Sequence, residues 1–338
     1  MTTRSIPTLD DVAKLAAVST ATVSRCLNAP EQVSDSTRKR VNKAVKALGY
    51  TPNFGARFMA AKRTNTIGAI IPTMENAIFA RGLQAFQDEL RAKGYTLLVA
   101  SSSYKSDIEE EQIRSLIARG ADGLLLIGHD RSSAIMQYLL TRKVPALVAW
   151  AHDPSAVLPS IGFDNFEAMC GLAKHVIAMG HSRIGMISAP TVSNDRARAR
   201  VQAVRHSMQE AGISTQNLKL IETEYGIETG AIAFQSLVGN SQVPTVVFCG
   251  NDVLAVGAMR QAKKMGIVVP DEISITGFDD IELARLVEPE LCTVHVPHRK
   301  MGATAASILV DMVEGKSFPQ TTQLDVKIEL RDSLSTRL

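Results

Sequence analysis

Between Leu9 and Leu48 the apolar positions recur at helical spacing in three short runs. The first run is Leu9, Val12, Ala13, Leu15 and Ala16, opened by Thr8 as an N-cap with Asp11 three residues on as its capping partner. Ala17-Val18-Ser19 is a tight break, and Ser19 can cap a second helix that turns Val23 and Leu27 inward. Ser34 can cap a third with Val41, Ala44, Val45 and Leu48 inward; Gly49 closes it and Pro52 forbids continuation. From residue 65 the period changes. Apolar runs of strand length alternate with helical patterns, first at 66–71, 96–100, 123–127, 146–149 and 160–163. A second set follows at 183–188, 218–221, 245–248, 274–277 and 292–294. Strands alternating with helices predict an α/β body of parallel sheets built from βαβ units. The two sets repeat loosely, TIGAII at 66 against RIGMIS at 183, which predicts two similar doubly wound lobes. Such sheets bind ligands beyond the carboxyl ends of their strands, and two facing lobes make a cleft.

Composition narrows the class. The 338 residues suit two to three domains, and 45% hydrophobic against 21% charged residues excludes disorder throughout. No window of 18 uninterrupted apolar residues occurs, and the opening MTTRSIPTLDD lacks the apolar run of a secretory signal, so a cytoplasmic location is expected. Cys26, Cys170, Cys249 and Cys292 lie far apart without a CxxC pair, which predicts reduced buried thiols and no zinc or redox site. An enzyme reading finds no support: no GxGxxG or P-loop follows the first strand (TIGAIIPTMEN), and GxSxG and HExxH are missing too. Neither cofactor nor metal is expected. Charge is unevenly placed. Residues 1–64 carry eleven Lys and Arg against four Asp and Glu, the remainder twenty-six against thirty. A basic head on a mildly acidic body predicts a polyanionic partner for the head, although a solvated basic face has the same composition.

Two short helices joined by a three-residue turn form a helix-turn-helix, whose second helix enters the major groove N-terminus first. Here that end offers Thr20, Ala21, Thr22 and Ser24, with Arg25 one turn along. Arg25 can pair bidentately with guanine O6 and N7, and Ala21 offers a methyl contact to thymine. Ser34 and Thr37, at a helix N-terminus, can hold backbone phosphate.

The string TLDDVAKLAAVSTATVSRCLN, followed by VS, TR, LGYTPN and ARFMA, closely resembles the DNA-binding head of LacI/GalR-type transcriptional regulators. The resemblance runs through almost the whole chain. It implies a double-stranded, near-palindromic operator as partner, with Thr8, Ser19 and Tyr50 added to the DNA-facing residues. It also implies that the segment from Asn53 to Ala61 folds on the operator and wedges Met59 into the minor groove, with Asn53, Ala56 and Arg57 alongside; an ordinary linker is the plainer reading. Two positions depart from the family. Ala17 replaces the turn glycine, tolerable where φ is negative or strain is small, and Met59 replaces a leucine. The expected domains are a head at 1–52, a hinge at 53–64 and a body at 65–338. By resemblance the body has the periplasmic-binding-protein type I fold, with lobes at about 65–163 plus 293–323 and about 164–291 plus 324–338, and crossovers near Phe163, Leu291 and Gln323.

The same resemblance points to effector residues. Arg200 matches an arginine that binds effector oxygens, a role a guanidinium suits; a surface salt bridge is the alternative. Asn251 matches an asparagine that often contacts ligand, and Asp252 beside it can instead cap a helix. Asp279 in GFDD and Tyr225 match pocket positions, Phe79 is either a stacking ring or a core aromatic, and Asp164 either binds ligand or fixes the lobe hinge. Trp150 stands where some members carry an aspartate, which favours stacking over hydrogen bonding, and His298 and Val296 also depart from galactoside-binding members, so a simple galactoside is not expected. APEQVS and FDNFEA resemble gluconate-type repressors, so a sugar acid or sugar is the first expectation, with purines and sugar phosphates as alternatives. The chain ends soon after the last lobe without the heptad-rich tail of tetrameric members, so a homodimer is expected. A solute-binding protein for uptake would share the body but would need a leader and no basic head.

Overall fold

A capping box starts the first helix, α1 (Leu9–Ala16): the Thr8 hydroxyl accepts the Asp11 N–H, and the Asp11 carboxylate accepts the Thr8 N–H at 2.8 Å. The computed structural model describes residues 7–50, 63–75, 77–239 and 242–337, which divide into two units, 1–64 and 65–338. In the first unit α2 (Thr20–Asn28) and α3 (Asp35–Leu48) complete a three-helix head. Its core is Val12, Ala13, Ala16, Val23, Cys26, Val41 and Ala44. Leu15, expected inward, is 55% exposed, because it falls off the i, i+3, i+4, i+7 stripe that Leu9, Val12, Ala13 and Ala16 define. Ser34 holds the N-cap position of α3 but caps nothing: its hydroxyl donates to Thr37 Oγ1 at 3.1 Å instead.

Ala17 closes α1 in the left-handed region, at φ 51° and ψ 51°. That conformation brings Cβ against the carbonyl and costs an alanine about 1 kcal/mol relative to glycine. Ala17→Gly is therefore expected to stabilise the head by about 1 kcal/mol, read in the full-length protein as roughly five-fold slower amide exchange in α1 and α2. Unchanged exchange rates would show that the turn is unstrained.

In the second unit a six-stranded parallel sheet comprises β1 (Thr66–Ile71), β2 (Thr96–Ser101), β3 (Gly123–Ile127), β4 (Ala146–Ala149), β5 (Ser160–Gly162) and a late strand, β11 (Thr321–Gln323). Its spatial order is β11-β5-β4-β3-β1-β2, with Thr66 opposite Thr96 and Ile67 opposite Gly123. A four-stranded parallel sheet of β6 (Ile184–Ser188), β7 (Lys219–Glu222), β8 (Val246–Cys249) and β9 (Ser274–Thr276) has the order β7-β6-β8-β9. Both sheets thus place their second strand outside the first and run on from the third, the pattern whose switch point opens a crevice at the strand ends. Every residue of β1, β3 and β4 is buried, as strands covered by helices on both faces must be.

Three passages join the lobes. The chain leaves the first sheet after β5 and enters α7 (Asn165–Ala178). It returns after β10 (Thr293–His295) and leaves again after β11 for β12 (Lys327–Glu329), which pairs antiparallel with β10. The second passage falls after His295, later than Leu291, because Cys292 bridges Thr276 and His295 bridges Asp279, which keeps this segment on the second lobe. The strands at 321–323 and 327–329 carried no signal in the sequence: each is three residues long and none of the six is fully buried. Helix α11 (His298–Glu314) then packs on α4 (Ala77–Ala92) so closely that a Cβ on Gly302 would stand 1.9 Å from the Gly82 carbonyl oxygen.

Candidate functional site

On the head, α2 turns Val23 and Cys26 into the core and leaves Thr20, Ala21 and Arg25 exposed on the opposite face. Ser19 caps the helix, accepting the Thr22 N–H at 3.2 Å, and its hydroxyl shares a 2.9 Å hydrogen bond with Thr22 Oγ1. Thr22 and Ser24 are half-buried. The exposed face of α2 therefore consists of Thr20, Ala21 and Arg25, while Ser19 and Thr22 hold the helix start in shape. Thr8 is committed to its capping box, Thr37 receives the Ser34 hydroxyl, and Tyr50 packs against the head core. Asn53, Ala56, Arg57 and Met59 lie outside the described residues.

In the body, the strand ends converge on a small cavity. Five of the sequence candidates meet there: Phe79 on α4, Trp150 after β4, Arg200 on α8 (Asp195–Glu210), Tyr225 and Asp279. Asp164 and Asn251 are not among its lining residues, and each also serves a helix start. Asp164 Oδ1 accepts the N–H groups of Phe166 and Glu167 at 2.8 and 3.0 Å. Asn251 Oδ1 accepts that of Leu254 at 3.0 Å, capping α10 (Asp252–Lys264). Asp252 caps nothing; it is fully buried and accepts Thr293 Oγ1–H at 2.6 Å and the Ile281 N–H at 2.8 Å, which clamps the turn carrying Asp279. Burial pushes its carboxyl up to about 7. Tyr104, Asn165 and Arg196 also line the cavity and were not picked out from the sequence. Their signal was position alone: Tyr104 follows β2, Asn165 opens α7 and Arg196 opens α8.

Arg200 is 6% exposed, and its Nη2 donates to Tyr225 Oη at 3.2 Å while its guanidinium sits 4.6 Å from the Phe278 ring centre. Its Nε has no hydrogen-bond partner among the described residues, nor has the amide oxygen of Asn165. Asp279 is 4% exposed, and burial holds its carboxyl well above the usual range against the opposing pull of Arg200. Among the described ion pairs, none joins Asp279 to an arginine. The walls are aromatic: Phe79 meets Trp150 edge-on at 5.4 Å and Tyr104 meets Tyr225 at 5.7 Å. Across the cleft mouth, Arg198 of the second lobe grips Asp130 of the first through two hydrogen bonds of 2.6 and 2.9 Å, and the His129 N–H donates to Asp195 Oδ2 at 2.6 Å. No group of three His, Cys, Asp or Glu among the described residues could hold a metal, and no described helix is long and apolar enough to cross a membrane.

A basic helix-turn-helix head in one chain with a two-lobed body that encloses a polar, aromatic-walled cavity defines a ligand-responsive DNA-binding regulator. Comparison with known proteins agrees. Residues 8–53 match the model of bacterial regulatory proteins of the lacI family, and residues 173–334 match a periplasmic binding protein-like domain. The HTH-type transcriptional repressor CytR of Escherichia coli (strain K12) is 33% identical over 328 residues, covering 96% of each chain. A LacI-family regulator from Silicibacter pomeroyi superposes with a TM-score of 0.89 at 26% identity over 97% of this chain and 99% of its own. The lac repressor dimer bound to operator and the anti-inducer ONPF superposes with a TM-score of 0.86 at 26% identity, over 98% of this chain and all of that one. The chain belongs to the LacI family of transcriptional regulators.

Burial pushes the His298 imidazole down to about 4, so the ring is neutral at physiological pH. An unfolded histidine takes its proton near pH 6.5, so stability is complete above that pH and drains away as pH falls toward 4, by roughly 3 kcal/mol in all. Urea unfolding at pH 7 and pH 5 should therefore show the advantage of the wild type over His298→Gln shrinking by about 2 kcal/mol. A gap that stays constant would mean the ring titrates normally.

Proposed function

We propose that the chain is a homodimeric repressor that reads a near-palindromic operator with Thr20, Ala21 and Arg25 and takes its effector between the lobes of the body. A second copy supplies the symmetry a palindrome demands, and the reading helices of the two heads occupy successive major grooves. The hinge residues Asn53, Ala56, Arg57 and Met59 add minor-groove contacts, and Ser34 and Thr37 add phosphate contacts. The protein works in the cytoplasm on nucleoid DNA and carries no catalysis of its own. The lac repressor dimer seen with its operator and a small ligand supports this reading by similarity.

One observation carries the effector assignment: Arg200 and Asp279 are both buried in one aromatic cavity without pairing with each other. A buried guanidinium whose Nε lacks a partner favours a ligand that brings an acceptor, and a buried carboxyl favours one that brings a hydroxyl. A sugar acid offers both, with its carboxylate on Arg200 and a hydroxyl on Asp279, and its C–H faces suit Trp150 and Phe79. A purine-like ring is the second reading, favoured by the aromatic pairs on two sides of the cavity. A sugar phosphate fits less well, since its dianion would lie against Asp279. Occupancy alters operator affinity to the extent that the effector binds the closed, bridged lobes better than parted ones.

A thermal-shift screen of sugars, sugar acids, sugar phosphates and purines tests the assignment: a sugar acid that raises Tm supports it, and a purine that does so replaces it. Arg200→Ala should abolish the response to whichever ligand is found while operator affinity without ligand stays as in the wild type; a variant that still responds would overturn the pocket. On the head, Arg25→Ala should relax base choice at one position per half-site and cost roughly 1–3 kcal/mol of operator binding. Weakened binding with unchanged base preference would reassign Arg25 to the phosphates, as would a steeper dependence on salt in the wild type than in the variant.

A further inference from the structure

The only tryptophan of the chain walls the cavity in a left-handed backbone conformation, Trp150 φ 62°, which a bulky residue adopts only when its surroundings compel it. Three neighbours compel it. Asn165 Nδ2 donates to the Trp150 carbonyl at 3.1 Å. Gly82 leaves the room, since a Cβ there would stand 2.5 Å from the indole Cζ2. His298, the first residue of α11, accepts the indole Nε1–H on its Nδ1 at 3.1 Å, with the two rings inclined by 26°. A ring that accepts at Nδ1 carries its proton on Nε2, and Nε2 donates to the Asp279 carbonyl at 3.2 Å. Asp279 is itself in a strained turn at φ 104°. His298 is 4% exposed and is not one of the cavity-lining residues. It stands on the segment that returns from the second lobe to the first, and it bonds one cavity residue from each: Trp150 after β4 and Asp279 after β9.

We propose that His298 is a positioning residue of the effector site: through its two ring nitrogens it fixes the Trp150 indole and the Asp279 turn relative to each other. The assignment of those residues to an effector site rests on the reading above, but the test needs no effector, so the two can fail separately. A residue that merely fills space needs volume, whereas this role needs an acceptor at one point and a donor at another. Asparagine places its amide oxygen near the position of Nδ1, and glutamine its amide nitrogen near that of Nε2. The two variants therefore split the two bonds.

The readout is the indole ¹H–¹⁵N resonance of full-length protein, a single signal because there is one tryptophan, together with the Asp280 backbone amide, which reports on the preceding carbonyl. His298→Asn should keep the indole resonance and move the Asp280 amide. His298→Gln should move the indole resonance upfield and speed its exchange with solvent while keeping the Asp280 amide. Either an indole signal unmoved in His298→Gln, or both variants disturbing both signals equally, would overturn the proposal. Loss of the folded body in both conservative variants would do so as well, and would make His298 a core residue.

Discussion

A guanidinium and a carboxyl share one buried cavity without forming a pair, and much of the body's local geometry serves that arrangement. Either group alone is costly to bury, and their attraction for each other would collapse the space between them. Arg200 is held back by the Tyr225 hydroxyl and the face of Phe278. Asp279 is held on a turn whose neighbours are clamped from below by Asp252, and Gly277 must be glycine there because a Cβ would meet Asp252 Oδ1 at 2.2 Å. Left-handed residues gather at the same strand ends: Ser103, Tyr104, Trp150, Asp279 and Asp280. Strain of this kind costs of order 1–3 kcal/mol per residue and persists where the fold over-determines it, which is where ligands are gripped.

The cavity is also the place where the lobes touch. Tyr104 meets Tyr225 in its wall, and beside it Arg198 pairs with Asp130 and the His129 N–H donates to Asp195, each joining one lobe to the other. Gly128 lets the loops approach, since a Cβ there would stand 1.7 Å from Arg196 Nη1. A ligand seated among residues of both lobes stabilises the bridged state only by the difference in its affinity for the bridged and parted states. The bridges are partly exposed, so each contributes modestly, and closure remains sensitive to what the cavity holds.

Much of this was legible from residues alone. Helical spacing with Thr8, Ser19 and Gly49 at helix ends outlined the head, and the buried apolar strands of both sheets stood out as short β-branched and leucine-rich runs. What the pattern missed has a common cause. Strands such as Thr321–Gln323 and Lys327–Glu329 are set by pairing to distant partners, so their local sequence carries no period. Tyr104 reaches the cavity from a left-handed backbone conformation and Asn165 from the first turn of α7, neither of which composition announces. Asp164 and Asn251 each spend one side-chain oxygen on capping a helix start, a role that a short polar side chain at that position takes alongside any other. Leu15 shows the same limit in the core, since a helix stripe is narrower than a list of its apolar residues.

The central claim is that one site between the lobes both binds the effector and governs the operator. Trp150 allows a direct test, because its emission is the chain's only tryptophan signal. Titrating sugar acids and purines into protein bound to a labelled operator, with tryptophan emission and operator release recorded in the same solution, gives two curves for each ligand. Every ligand that shifts operator affinity is expected to change Trp150 emission with the same midpoint. A ligand that changes operator affinity while Trp150 stays silent would place the controlling site elsewhere.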